Sequence, residues 1–393
     1  MRGSAKYCRQ SPNGSHRAAD IRASLADRPG WRGVNGRYVL EGRRHAVLTE
    51  GFLTAPHGKT AHGVIRYRPE HVAAVIDSQF AGKRVCDVVP SLRSDAPIVA
   101  SVREALAYGP RSLLIGFATD GGAIPPRLRA PIVEAIDAGL DVISGLHEVL
   151  ADDPEIAARA AGAGVELIDV RVPPRNIPLF SGAVYRDKRA KVLAVGSDCA
   201  VGKMTAMLEV ERAARDAGGK AEFVATGQTG ILITGKGIAV DRVISDFVTG
   251  AAEQLVLTAD SNADVVLVEG QGSIFHPAYA PVTFGLLYGS APDALLLCHR
   301  VGLERVLGFE QPIPNLSALV EMHERILSFV KPARVIGVVL DTSALGPEAA
   351  RAAIARVEEE TGLPADDPVR NTGAKLWRLV DGVSNVLLSK PTS

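Results

Sequence analysis

The sequence predicts two successive α/β domains, each built on a parallel sheet covered by helices. Three observations lead there. At 393 residues the chain is too long for one ordinary hydrophobic core. From about Ala46 onward, apolar strand-like runs alternate with amphipathic helical stretches, the rhythm of helices crossing over a parallel sheet. That rhythm breaks once, at Pro173–Lys188 (PPRNIPLFSGAVYRDK), and then restarts, so this Pro- and charge-rich stretch reads as a linker over 173–188. Composition agrees: 47% hydrophobic residues fill two cores, and 39 Gly with 5% aromatics suit layered domains with tight turns.

The opening stretch, residues 1–44, stands apart. It holds ten Lys/Arg against three acidic residues, with scattered Gly, Ser and Pro and little periodicity. A disordered basic tail is the reading composition favours, against a targeting peptide or an upstream extension outside the fold. The absence of an apolar h-region argues against a secretory signal.

Lys plus Arg balances Asp plus Glu at 44 each, so no global field draws the chain to nucleic acid or membrane. No run of 18 apolar residues suggests a membrane span. Cys8, Cys86, Cys199 and Cys298 are far apart and form no CxxC pair, so neither a disulfide framework nor a zinc site is expected, and a reducing cytoplasm is. Oligomeric state is left open, a homo-oligomer included.

In the first domain, 45–172, Glu70–Phe80 reads as a helix with Val72, Val75 and Ile76 on one face. Strands are expected at Arg84–Val89, Ser112–Ala118, Leu140–Ser144 and Val165–Val170. Helices fall at Ile98–Tyr108, Leu128–Ala138 and Pro154–Ala163, with Gly109, Gly139 and Gly164 near their ends. This is a small Rossmann-like domain. In the second, 189–393, strands are expected at Lys191–Val195, Ala221–Thr226, Asp264–Val268, Ala294–Cys298 and Arg334–Leu340. Helices follow at Lys203–Ala217, Val243–Leu257, Leu316–Val330 and Pro347–Thr361.

The strongest chemical signal is VLAVGSDCAVGKMT, Val192–Thr205. A buried strand ends at Gly196, a loop of Ser197, Asp198, Cys199, Ala200 and Val201 follows, and Gly202-Lys203 opens a helix carrying Met204 and Thr205. Loop N–H groups, the helix N-terminus and the Lys203 ammonium then converge on one anion, and glycine lets backbone approach it. This is a phosphate loop, and the second domain reads as a P-loop NTPase-like parallel sheet. It departs from G-x-x-x-x-G-K-[ST]: Ser197 takes the first glycine place and Met204 the place of the magnesium-binding hydroxyl.

The loop resembles that of the dethiobiotin synthetase group, and DVVLVEGQGS (Asp264–Ser273) resembles that group's acidic residue after a hydrophobic strand, placing Glu269 at a strand's carboxyl end. A closer resemblance covers the chain from about His45. GKTAHGVIRY (Gly58–Tyr67), ISGLHE (Ile143–Glu148), GSDCAVGKMT (Gly196–Thr205), TGQTGILITG (Thr226–Gly235), VISDFVTGAAE (Val243–Glu253) and VEGQGSIFHP (Val268–Pro277) are similar to segments of one family. Once catalogued as a domain of unknown function, its members are described as D-glutamate N-acetyltransferases using acetyl-CoA. The resemblance implies acetyl transfer to D-glutamate or a related D-amino acid, a small-molecule substrate.

Coenzyme A carries a pyrophosphate and a 3′-phosphate, which a phosphate loop can hold without hydrolysis. Met204 fits that use, because metal-assisted phosphoryl transfer ordinarily needs the hydroxyl there. Acetylating an amine requires a general base, for which Glu269, Asp198 and His276 are candidates, Glu269 first. Loop N–H groups or Lys203 would polarise the thioester carbonyl, and Cys199 invites an acetyl-cysteine intermediate. Arg300, after the strand-like DALLLCH (Asp293–His299), and Lys236 are candidate carboxylate partners. The glycine-rich Thr226–Gly237 reads as a second ligand loop or lid. Gly116–Pro126 (GFATDGGAIPP) is a weak dinucleotide candidate, and Lys59 and His62 could face a cleft between domains. The alternatives are an ATP- and magnesium-dependent ligase or kinase, and a non-catalytic nucleotide-binding protein.

Overall fold

The computed structural model describes residues 42–389, so the basic stretch read over 1–44 lies almost entirely outside the described residues. Two six-stranded sheets follow one another. The first holds β1 (His45–Leu48), β2 (Val72–Ile76), β3 (Ile98–Val99), β4 (Ser112–Ile115), β5 (Asp141–Ser144) and β6 (Leu167–Asp169) in the order β3-β2-β1-β4-β5-β6. Every pairing is parallel, and this is the strand order of doubly wound dinucleotide-binding folds. The second holds β7 (Ala190–Gly196), β8 (Ala221–Val224), β9 (Val265–Val268), β10 (Ala294–Arg300), β11 (Arg334–Asp341) and β12 (Ala365–Asp366) in the order β12-β11-β10-β7-β9-β8, again all parallel. The central strands β1, β7 and β9 are buried along their whole length, as strands covered by helices on both faces must be.

Several elements differ from the sequence reading. The helix expected over Glu70–Phe80 is β2, flanked by single 3-10 turns. Its VAAVI run is apolar on every residue and wholly buried, a pattern that helix and central strand share. The strand expected over Arg84–Val89 is a short helix, Val85–Val88, because the Asp87 carboxylate accepts the Arg84 N–H at 3.1 Å and closes a turn. The helix expected from Ile98 begins instead with β3, and Ser101 caps Val102–Ala105. In the second domain the helices Gln228–Thr234, Ala280–Gly289 and Ala374–Leu388 stand in addition to those the sequence predicts. The Thr226–Gly237 segment is thus mostly a packed helix with Ile231, Leu232 and Ile233 buried, not a lid.

The crevice where the first sheet reverses strand order, beside β1 and β4, is occupied by the chain itself. The Ala118 N–H donates to His57 O at 2.9 Å, and the Phe52 and Phe117 rings lie 5.1 Å apart across it. Gly116–Pro126 therefore borders packed protein instead of a dinucleotide cleft. The stretch read as a linker is pinned from Pro178 onward to the second domain. Buried Glu253 accepts the Ser181 and Val184 N–H groups at 2.7 and 3.2 Å.

The domains meet at the carboxyl ends of their strands. The helix Lys59–Tyr67, which follows β1, lies on Gln228–Thr234, which follows β8. A Cβ on Gly63 would sit 2.6 Å from Thr229 Cγ2, so only glycine allows this approach. Gln228 Nε2 donates to Thr60 Oγ1 at 2.6 Å, Arg68 Nε to Ile233 O at 2.6 Å, and Arg242 Nη1 to His147 O at 2.7 Å. One apolar core runs through the seam, with Ile65, Leu114 and Ile231 in the same cluster. Among the described residues no helix is long and apolar enough to cross a membrane.

Two buried histidines set an acid limit on this fold. Burial lowers His45 and His323 to about 4. The unfolded chain therefore takes up their protons below about pH 6.5 while the folded chain does not, and stability falls from there to pH 4. Each contributes on the order of 3 kcal/mol to that loss. His323 Nε2 has no hydrogen-bond partner in the core. The variant His323→Leu is expected to flatten the urea-midpoint profile between pH 6.5 and 4, as followed by circular dichroism; an unchanged slope would exclude His323 as a source.

Candidate active site

The phosphate loop springs from the centre of the second sheet. β7 lies between β9 and β10, and its last residue, Gly196, opens the turn into the helix Lys203–Asp216. Gly202 caps that helix at φ +94°, a conformation that favours glycine. Ala200 adopts φ +53° without that licence, at a cost of about 1–3 kcal/mol. Arg300 offsets it: Nη2 donates to Ala200 O at 2.6 Å while Nε donates to Asp341 at 3.0 Å. The guanidinium expected to hold a substrate carboxylate thus holds the loop.

Ser197 Oγ lies 2.9 Å from His299 Nδ1, and its carbonyl accepts from Ser273 Oγ at 3.3 Å. Asp198 is fully buried. Its Oδ1 accepts the Cys199 N–H and its Oδ2 the Leu307 N–H, both at 2.6 Å, so it ties the loop to the segment beyond β10. Lys203 is buried and donates to Asp198 O at 2.7 Å; loss of water pulls its pKa down. Val201 is buried in the core, while Met204 and Thr205 are half-buried on the first helical turn.

Glu269 directly follows β9, next to β7, and is 6% exposed. Oε2 accepts the N–H groups of Thr226 and Gly227 at 2.7 and 2.9 Å, while Oε1 makes no hydrogen bond among the described residues. Desolvation raises its pKa to about 7; the two amides and the Lys203 charge pull the other way and lose. A carboxyl poised there exchanges protons readily near neutrality.

The other base candidates are differently employed. His276 Nδ1 accepts the Ala278 N–H at 3.2 Å, and Nε2 faces Leu307 O at 3.1 Å, which assigns the proton to Nε2 and leaves no lone pair over. Tyr279 and Phe309 enclose the ring. Donor atoms of Asp198, Cys199 and His276 lie within 4.8 Å of one another. As a metal site the trio is poorly prepared, since the carboxylate and imidazole are engaged by backbone and burial pushes the Cys199 thiol up to about 11. The same shift keeps Cys199 protonated and disfavours an acetyl-cysteine. Lys236 forms an ion pair with Glu222 on β8 instead of standing over the loop. His62 Nε2 is 2.6 Å from Leu53 O.

What sequence reasoning missed is the share of the seam. The N–H groups of Thr226 and Gly227 converge on Glu269, and the next residue, Gln228, carries its amide across the seam to Thr60. A clue lay in the polar residues of TGQTG directly after a strand.

Fold and site together define a two-domain protein, Rossmann-like then P-loop, whose strand ends meet at one seam. Two family descriptions match: a domain of unknown function described as a Rossmann-like domain, DUF1611_N, over residues 78–173, and its P-loop partner, DUF1611_C, over 178–377. The chain belongs to the DUF1611 family. It is 39% identical over 331 residues to a D-glutamate N-acetyltransferase of Tritonibacter scottomollicae, covering 84% of this chain and 94% of that one. A D-glutamate N-acetyltransferase of a Pseudoalteromonas species is 36% identical over 69% of this chain and 81% of its own. The crystal structure of a DUF1611 family protein from Anabaena variabilis superposes with a TM-score of 0.83 at 38% identity, covering 86% of this chain and 99% of that one.

Removing the ammonium tests the loop directly. Lys203→Ala is expected to weaken coenzyme A and ADP at least about tenfold by calorimetry, the loss of one charge-assisted hydrogen bond. Unchanged affinity for both would remove the phosphate role.

Proposed function

We propose that the protein is an acyltransferase that moves acetyl from acetyl-CoA to the amine of D-glutamate or a related D-amino acid. The observation that carries this reading is Glu269, a buried carboxyl raised to about 7 with one oxygen uncommitted, set beside a phosphate loop. The name of the two relatives, D-glutamate N-acetyltransferase, supplies the acceptor and the acetyl group, and the phosphate loop supports acetyl-CoA as its carrier. The Met204 thioether at the magnesium-hydroxyl position supports a loop that grips phosphates without cleaving them.

In this reading the loop N–H groups and Lys203 hold the coenzyme A phosphates, and the thioester lies toward β9. Glu269 Oε1 takes a proton from the acceptor ammonium. The freed amine attacks the thioester carbonyl, the C–N bond forms and the C–S bond breaks. The departing thiolate takes the second proton that the nitrogen sheds as the amide forms, Glu269 releases the first to solvent, and N-acetyl product and coenzyme A leave. Direct attack accords with the protonated state of Cys199. A cytoplasmic setting accords with the acetyl-CoA supply and the free thiols of Cys86, Cys199 and Cys298.

Free-thiol release from acetyl-CoA, measured without magnesium and with D-glutamate, L-glutamate or no amine, is expected only with D-glutamate. No release with any amine, together with ADP formation from ATP and magnesium, would transfer the protein to the ligase or kinase class. The base has its own signature. Because Glu269 must be ionised to act, kcat/KM is expected to rise with pH through about 7. Glu269→Gln should lose about 100-fold or more in kcat and with it that limb of the profile. A variant that keeps the limb would point to another base.

A further inference from the structure

The helix Lys59–Tyr67 runs alongside the phosphate-loop helix in the same direction. Gly63 lies opposite Met204, where a Cβ would be 3.5 Å from Met204 Cε. One turn further on, the Tyr67 hydroxyl donates to Glu209 Oε1 at 3.1 Å. One turn back from Gly63 is Lys59, the first residue of its helix, toward the end of this helix pair from which the phosphate-loop helix also starts. The Lys59 charge accordingly bears on the Cys199 thiol, against the effect of burial. Its neighbour Thr60 is anchored to Gln228 across the seam, so the backbone that carries Lys59 is fixed relative to the loop.

Lys59 is exposed and makes no hydrogen bond or ion pair among the described residues. The other cations considered for this site are committed: Lys203 to Asp198 O, Arg300 to Ala200 O and Asp341, Lys236 to Glu222. A dicarboxylic acceptor brought beside the Glu269 carboxyl needs a positive partner to hold it there. Lys59 is an ammonium without such a commitment, carried on the N-terminal domain's side of the seam.

We propose that Lys59, carried to the phosphate loop by the N-terminal domain, binds a carboxylate of the acceptor amino acid and so selects acidic acceptors. The proposal rests on the acetyltransferase reading for the identity of the acceptor. A phosphate of the donor offers the same anionic oxygen, and the kinetics separate the two. Lys59→Gln should raise the D-glutamate KM about tenfold or more, as loss of one exposed-to-half-buried charge pair to a bound carboxylate does. The acetyl-CoA KM should stay within about twofold, kcat should change less than KM, and the preference for D-glutamate over D-glutamine should shrink by a similar factor. Lys59→Arg should restore most of the affinity. A rise confined to the acetyl-CoA KM, or no change in either, overturns the proposal.

Calorimetric titration of D-glutamate into wild-type and Lys59→Gln protein judges Lys59 without turnover. Weaker binding to the variant sustains the assignment even where acetyl-CoA yields no thiol, an outcome that fails the acetyltransferase reading alone. Equal affinities overturn Lys59 and leave that reading standing; a wild type that does not bind D-glutamate overturns Lys59 as well.

Discussion

The organisation of the molecule depends on one close approach, that of the helix Lys59–Tyr67 to the helices Lys203–Asp216 and Gln228–Thr234. Gly63 makes it sterically possible, and a continuous apolar core running from Ile65 to Ile231 holds it. Because helices in both domains start at strand carboxyl ends, packing them side by side brings those ends to one seam. The first sheet's own crevice is filled by Phe52 and Phe117. Its contribution to the site is therefore a wall, and the second sheet contributes the phosphate loop.

Within that seam, burial sets the chemistry. Lys203 and Glu269 both lose water, and each becomes easier to neutralise: the ammonium is pulled down and the carboxyl pushed up. The backbone amides of Thr226 and Gly227 prevent Glu269 from drifting further. Around this pair the loop is held in place by Asp198 on Leu307 N–H and Arg300 on Ala200 O. Both would have passed for reactive residues on composition alone.

The parts legible in the sequence were those encoded locally. The phosphate loop is a strand, a glycine, a lysine and a helix within one contiguous stretch, and Glu269 is placed by the strand that precedes it. Periodicity found the helices Pro154–Ala163 and Pro347–Thr361 to the residue. It failed at β2, where VAAVI is apolar on both faces and carries no period. It failed again where partners are remote in sequence: nothing near Arg300 or Lys236 announces Asp341 or Glu222. The hydrogen-bonded role of His276 and the position of Lys59 depend on loops and a domain contact that no local pattern encodes.

The outer strands of the two sheets have a bearing on how copies of this chain can meet. β3 and β12 have two residues each, β6 three and β8 four. Edges this brief offer too few free N–H and C=O groups to template a strand from a neighbour. Growth of either sheet from one molecule into the next is thereby disfavoured at both ends, which protects an all-parallel architecture against fibrous aggregation.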